Sequence, residues 1–389
     1  MTINGVELDE LIDVPAGLRN VVAADTQLGD VRGQEGFYHY RQYSAIELAS
    51  VCTFEEAWFL LVEGHLPDPA ELSEFTDTVA RSRLLPTELL PVLPAIAASA
   101  NPMVGLRTAL SMLAGIRDLR PMWDCDPASR KADALLICAV TPTILAALHR
   151  LNHGLPPVVP RADLSTAANW LYMLTGEPPR PRATRAIEQY LIATIDHGFN
   201  ASTFTARVVA STGADVASAI VAAIGAFSGP LHGGAPDRAL DGLDEIGSTD
   251  HIDDWVSDKI AKGDRVMGFG HAVYRTADPR SILLRAIGIE LGGDLVEFAT
   301  TVERRVTELL AELKPGRNLY ANVEFYAGVV MELCGIPRSM FTPTFATSRV
   351  VGWSANILEQ ADSAKVIRPS ARYVGPRAPQ PVPARRSPG

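Results

Sequence analysis

Paired cysteines are missing from this chain: Cys52, Cys125, Cys138 and Cys334 are its only four in 389 residues, and none form a C-x-x-C pair. A chain of this size does not need the disulfides that staple small secreted domains, so reduced thiols and a cytoplasmic location are expected. Positive charge is also in deficit. With 35 Lys and Arg against 45 Asp and Glu the formal net charge is -10, which argues against general attraction to nucleic acid or to anionic lipid. Any anionic ligand therefore has to be met by a local cluster of arginine, lysine or histidine. The opening stretch MTINGVELDELIDVPAGLRN carries acids where a signal peptide would carry a basic start and an apolar run, so export is not expected. Without export, the sequon Asn200-Ala201-Ser202 is a chance match. The most apolar run, 134–148, is short and interrupted by Thr141, Pro142 and Thr143, so membrane insertion is not expected.

What is present is apolar material, 47% of residues, in a chain longer than one core usually organises. Helix signals dominate. Thr53 and Glu56 form a capping box before the apolar run 58–62, with Gly64 as a left-handed stop. Asp68 caps a second helix with Pro69 at its first position and Pro86 closing the run, and NPMVGLRTALSMLAG repeats the scheme. The stretch 201–227 is packed with Ala, Ser and Gly, which lets helix backbones approach closely and predicts a buried helix pair. Only 21–40, with turn chemistry between Gly29 and Gly36, reads as a strand and hairpin. No solenoid-length repeat is found, and the Pro-rich, basic 376–389 reads as a disordered tail.

Three of the eight histidines sit among turn residues. His197 lies in IDHGFNASTF, His232 in SGPLHGGAPDRA between Gly229, Pro230, Gly233 and Gly234, and His271 in VMGFGHAVYRTADPR after Gly268 and Gly270. Glycine on both sides implies unusual backbone angles or close approach, and loops carry function; a lone histidine satisfying a carbonyl is the bland alternative. Arg275 and Arg280 are either solvated charges or, with His271, a cationic pocket for carboxylate or phosphate. Glu324 sits in the apolar YANVEFYAGVV. It is either a helix-start acid in water or a carboxylate whose pKa the apolar setting raises, making it a stronger base. Arg349, Arg368 and Arg372 lie further along the chain.

In the order DHGFNAST, SGPLHGG, GFGHAVYRTADPR, NVEF, SRVVGW and IRPSARYVG, these segments resemble the citrate synthase family over about 17–375. The resemblance implies an all-α, multihelical fold with a minor N-terminal β-hairpin. It further implies a large domain (1–231 and 336–375), a smaller inserted domain (232–335) closing over the substrates, and a homodimer. By motif, His232 is implied to hydrogen-bond a thioester oxygen, His271 to polarise the ketone of oxaloacetate, and Glu324 to take the methyl proton of acetyl-CoA. His197, Arg280 and Arg349 are implied oxaloacetate ligands, and Arg368 is implied to reach the partner subunit's site. Arg275 and the backbone of Val266, Met267, Gly268, Phe269 and Gly270 match the coenzyme A contact region. No metal and no redox cofactor are implied. Citryl-CoA would be hydrolysed to citrate. Two departures stand out: Glu324 replaces the family's usual Asp, and Tyr-Arg-Gly-Tyr-Asp becomes YRQYS. The alternatives are a 2-methylcitrate synthase using propionyl-CoA, a non-catalytic CoA-binding scaffold, and a metal site formed by His197, His232, His271 and Glu324, the last disfavoured by the absence of short ligand spacings.

Overall fold

The computed structural model describes residues 2, 3, 6, 7, 11–99, 101–229, 232, 236–271, 273–317, 319–363 and 365–381. They fall into two units, a terminal one (Met1–Asp25 with Val366–Gly389) and a body, Thr26–Lys365. In the terminal unit Thr2–Ile3 pairs antiparallel with Val6–Glu7, and Arg372 donates to Asp13 at 3.0 Å. Arg368 lies in this unit and is exposed. Of the Pro-rich tail, 382–389 lie outside the described residues.

The body carries sixteen α-helices among the described residues and one three-stranded antiparallel sheet, Gly29–Arg32, Phe37–Tyr40 and Tyr43–Ser44. The chain is all-α with a minor sheet at its N-terminal end, and the body holds 26–231 and 336–365 of the expected large domain together with the 232–335 segment. Local chemistry sets many helix starts. The helix Phe54–Glu63 opens on the full Thr53–Glu56 capping box and stops at Gly64, φ 91°. Asp68 caps Pro69–Ser82, which ends short of Pro86, and Asn101 caps Pro102–Ile116. Caps of this kind contribute about 1 kcal/mol each.

Four helices form the centre. The helix Phe341–Ala361 is buried along nearly its whole length. The pair Ala201–Ala210 and Val216–Phe227 packs together, as the small-residue stretch predicts. The helix Pro127–Asn152 runs straight through Pro142, where the sequence pattern is interrupted. Thr141 turns its hydroxyl back to the Ile137 carbonyl at 2.7 Å, so its polar group is satisfied inside the helix. This helix is long and apolar enough to cross a membrane, yet 78% of its apolar window is buried by its neighbours, as in a core helix.

Close packing and side-chain capping tie this core to the end of the helix Pro181–Thr194. A Cβ on Gly352 would fall 2.1 Å from the Ile195 carbonyl oxygen, so glycine alone lets Phe341–Ala361 lie against that end. Its last carbonyls are unpaired within the helix, as at every helix C-terminus. Four side chains from elsewhere cover them: Ser348 donates to Leu191 O, Tyr40 to Ile192 O (2.9 Å), Tyr38 to Ala193 O (2.8 Å) and Arg349 to Thr194 O (3.0 Å). Strand Phe37–Tyr40 alternates half-buried and buried positions, which is what points both tyrosines inward.

Candidate active site

Directly after the covered helix end come Asp196 and His197. Asp196 is buried; its carboxylate receives the His197 and Gly198 amides and the Asn356 side chain (3.3 Å). Burial, opposed by nearby Arg349, pushes it up to about 6. The His197 ring is enclosed by aromatic rings, with centroids 5.4 Å from Tyr38, 5.4 Å from Tyr274 and 5.6 Å from His271. Its Nε2 lies 2.8 Å from the Tyr274 hydroxyl. Burial first, then Arg280, Arg349 and His271, hold this imidazole well below its ordinary range, so it is neutral.

His271 occupies a turn made by two glycines with positive φ, Gly268 (83°) and Gly270 (88°). That region favours glycine because a Cβ would crowd the following carbonyl. The turn is laced to 320–322: Gly270 N–H donates to Tyr320 O (2.8 Å), Asn322 N–H to Gly268 O (2.8 Å) and the Asn322 amide to Gly270 O (3.0 Å). The Val273 and Tyr274 amides donate to His271 Nδ1 at 3.0 and 3.1 Å, so with Arg280 beside Nε2 donors face both ring nitrogens. Nε2 faces Arg280, 3.2 Å away. Burial, reinforced by Arg280, lowers His271 to about 4.

Asp278 ties this turn to the helix of Glu324. Its carboxylate pairs with Arg280 through Nε (3.0 Å) and Nη2 (2.8 Å), caps Pro279–Leu291, and accepts the Val323 amide at 3.2 Å. Both partners are almost fully buried. Replacing one alone would strand the other charge, a change that costs about 3–5 kcal/mol. Asn322 caps Val323–Leu333 by accepting the Glu324 amide (3.1 Å). Glu324 is therefore a helix-start acid and a half-buried one. Burial raises its pKa, with Arg280 opposing.

His232 reaches the site from a turn whose neighbours Pro230, Gly233 and Gly234 lie outside the described residues. Its Nε2 sits 2.8 Å from the Ser202 hydroxyl and receives the Ser202 amide at 3.4 Å. An amide can only donate, which favours a lone pair on Nε2 and the proton on Nδ1. The Ser202 hydroxyl is itself held by Trp353 Nε1 (3.1 Å) and Asn200 Oδ1 (2.8 Å). Burial lowers His232 to about 4. The sequon is thus a structural unit: Asn200 caps Ala201–Ala210 and Ser202 holds a histidine. Arg349, buried on Phe341–Ala361, lies over the Phe345 ring at 4.8 Å.

His232, His271, Asn322 and Glu324 line one cavity of about 620 Å³, together with Val266, Met267, Gly268, Phe269 and Gly270. Arg265, Lys314 and Arg317 give it a cationic wall. His197 and Arg280 adjoin it through His271, and the Arg349 charge acts on both His197 and His232. Arg275 is exposed and does not line the cavity; its amide donates to Gly33 O (2.9 Å). Among the described residues no three His, Cys, Asp or Glu side chains converge as metal ligands. Sequence reasoning passed over Ser202, Tyr274, Asp278 and the cationic wall. Asp278 had a local signal, an Asp-Pro helix start; Ser202 had none beyond a misleading sequon.

The chain is similar to known proteins over most of its length. The citrate synthase C-terminal domain family matches residues 17–370. Citrate synthase of Deinococcus radiodurans is 36% identical over 94% of this chain and 97% of its own length. The 2-methylcitrate synthase of Mycobacterium tuberculosis is 39% identical over 95% and 92%. In structure, the ternary complex of Thermoplasma acidophilum citrate synthase with carboxymethyl coenzyme A and oxaloacetate superimposes with a TM-score of 0.87 at 29% identity, covering 95% of this chain and 98% of that one. Together with the matched motifs, these findings establish that the chain belongs to the citrate synthase family.

Proposed function

We propose that the protein condenses acetyl-CoA with oxaloacetate and hydrolyses the resulting citryl-CoA to citrate and CoA, as a cytoplasmic homodimer serving the tricarboxylic acid cycle. The observation that carries this reading is one cavity lined by Glu324, His232 and His271. Glu324 takes a proton from the thioester methyl, and its raised pKa makes it the stronger base for that step. His232 donates from Nδ1 to the thioester oxygen as the enol forms; a neutral imidazole shares its proton without giving it up. The enol carbon attacks the oxaloacetate ketone that His271 polarises, and His271 protonates the new alkoxide, its imidazole being restored by the proton that Glu324 took. Water then cleaves the thioester and CoA leaves.

Arg280, Arg349 and His197 hold the oxaloacetate carboxylates, and Arg368 completes the set from the partner subunit. The segment 232–335 closes over the substrates and keeps water from the enol. The backbone 266–270, with Arg275, carries the CoA. The related Thermoplasma complex with carboxymethyl coenzyme A and oxaloacetate supports both substrate classes. No metal or redox cofactor takes part, so exhaustive chelation is expected to leave turnover intact.

Propionyl-CoA is the second reading, favoured by the 39% identity to a 2-methylcitrate synthase. One methylene is worth about 1–3 kcal/mol in an apolar pocket. The test is oxaloacetate-dependent release of CoA thiol, with kcat/KM compared for the two thioesters. A clear propionyl preference rejects the first reading. A folded protein that releases no thiol from either rejects both.

A further inference from the structure

The site contains a buried phenol that the proposed condensation does not use. Tyr274 is 3% exposed, and its hydroxyl makes one hydrogen bond among the described residues, to His197 Nε2 at 2.8 Å. Tyr274 is likewise the only hydrogen-bond partner of the His197 ring among them, the other neighbours being ring faces and edges. Through its backbone the same residue donates to His271 Nδ1 at 3.1 Å. One residue therefore touches both imidazoles that border Arg280.

We infer that Tyr274 is a positioning residue whose hydroxyl fixes the tautomer of His197, so that this histidine presents an N–H donor to the bound keto acid. The inference rests on the oxaloacetate reading of the site. A neutral imidazole has one proton for two nitrogens, and a buried phenol proton needs an acceptor. Both needs are met at once when Tyr274 donates to Nε2, which puts the His197 proton on Nδ1. The reverse arrangement leaves the phenol proton without an acceptor among the described residues and offers a dianionic substrate the lone pair of Nδ1. Burial keeps the phenol protonated, raising its pKa well out of the ordinary range, and keeps His197 neutral. The guanidinium of Arg280 beneath the Tyr274 ring, 5.9 Å from its centroid, holds the ring between the two histidines. Taken together, position 274 meets both imidazoles, with its amide at His271 Nδ1 and its hydroxyl at His197 Nε2.

Tyr274→Phe removes the hydroxyl and keeps the ring and the backbone amide. Oxaloacetate affinity, measured by calorimetry on the full-length protein, is expected to fall about 5- to 10-fold, the usual effect of one such bond. The KM for the thioester should stay at its wild-type value, and the melting temperature should fall only by the few degrees that one lost buried hydrogen bond produces. His197→Ala and the double variant complete a cycle. Because Tyr274 acts through His197, its substitution should have no further effect once His197 is gone. Equal oxaloacetate affinity in wild type and Tyr274→Phe, or additive losses in the cycle, overturns the inference. If the wild type itself binds no oxaloacetate, the proposed function fails instead, so the two failures are told apart in one experiment.

Discussion

His197 and Arg349 stand on the end of one buried helix and the flank of another, where Tyr38, Tyr40 and Arg349 itself cap the last three helical carbonyls. His271 and Glu324 instead hang from two irregular segments, 268–270 and 320–322, joined by main-chain hydrogen bonds and turned by two glycines. The first side is fixed by packing, with a glycine at 352 where no Cβ fits. The second is fixed by pairing between loops and opens onto the cationic wall of Arg265, Lys314 and Arg317. A small dianion needs guanidinium groups held at one separation, whereas a long nucleotide thioester needs a turn that can accommodate it. Asp278 is the hinge between the two, bonding Arg280 with its carboxylate and the first amide of the Glu324 helix with the same group.

The contrast can be broken first at the base. Glu324→Gln should lower turnover by about 10²–10⁴-fold while oxaloacetate affinity, measured by calorimetry, stays within a small factor. A parallel loss of both would mean that the sides are not independent. The same group sets a pH dependence. Glu324 must be ionised to act, and burial raises its pKa, so kcat/KM should decline on acidification at a higher pH than an ordinary glutamate would give. Glu324→Gln should abolish that limb.

On the packed side, Arg349→Lys keeps the charge but loses the planar fork. Oxaloacetate affinity should drop about 10- to 100-fold, as for other hydrogen bonds to charged groups, with the thioester KM unchanged. A smaller effect is expected at the turn. Gly270→Ala forces a side chain into φ 88°, a strain of about 1–2 kcal/mol, read as a lower melting temperature and a reduced kcat with oxaloacetate binding retained. Smallest of all, Lys314→Ala with Arg317→Ala should raise the thioester KM about 2- to 5-fold, in keeping with exposed charges. Added salt should shrink that difference.

Much of this was legible in the chain itself, because local chemistry set it. Thr53, Asp68 and Asn101 cap where their sequences say they should, and the small-residue stretch is a packed helix pair. His232, His271 and Glu324 line one cavity and His197 and Arg280 adjoin His271, while Arg275 stays off the cavity and Arg368 belongs to the terminal unit. What stayed hidden depends on residues distant in sequence. Ser202 matters because Trp353, 151 positions away, holds its hydroxyl. Tyr274 matters because its phenol meets His197, 77 positions earlier. Pro142 shows the converse: a residue that breaks isolated helices is carried inside a long one by the surrounding core.

The most direct measurement is a crystal structure of the protein with oxaloacetate and a non-reacting thioether analogue of acetyl-CoA. Glu324 is expected within about 3.5 Å of the analogue's methylene carbon, with His232 at the thioester-equivalent oxygen and His271 at the ketone. A Glu324 side chain turned to solvent, distant from both imidazoles with ligands in place, would contradict the account.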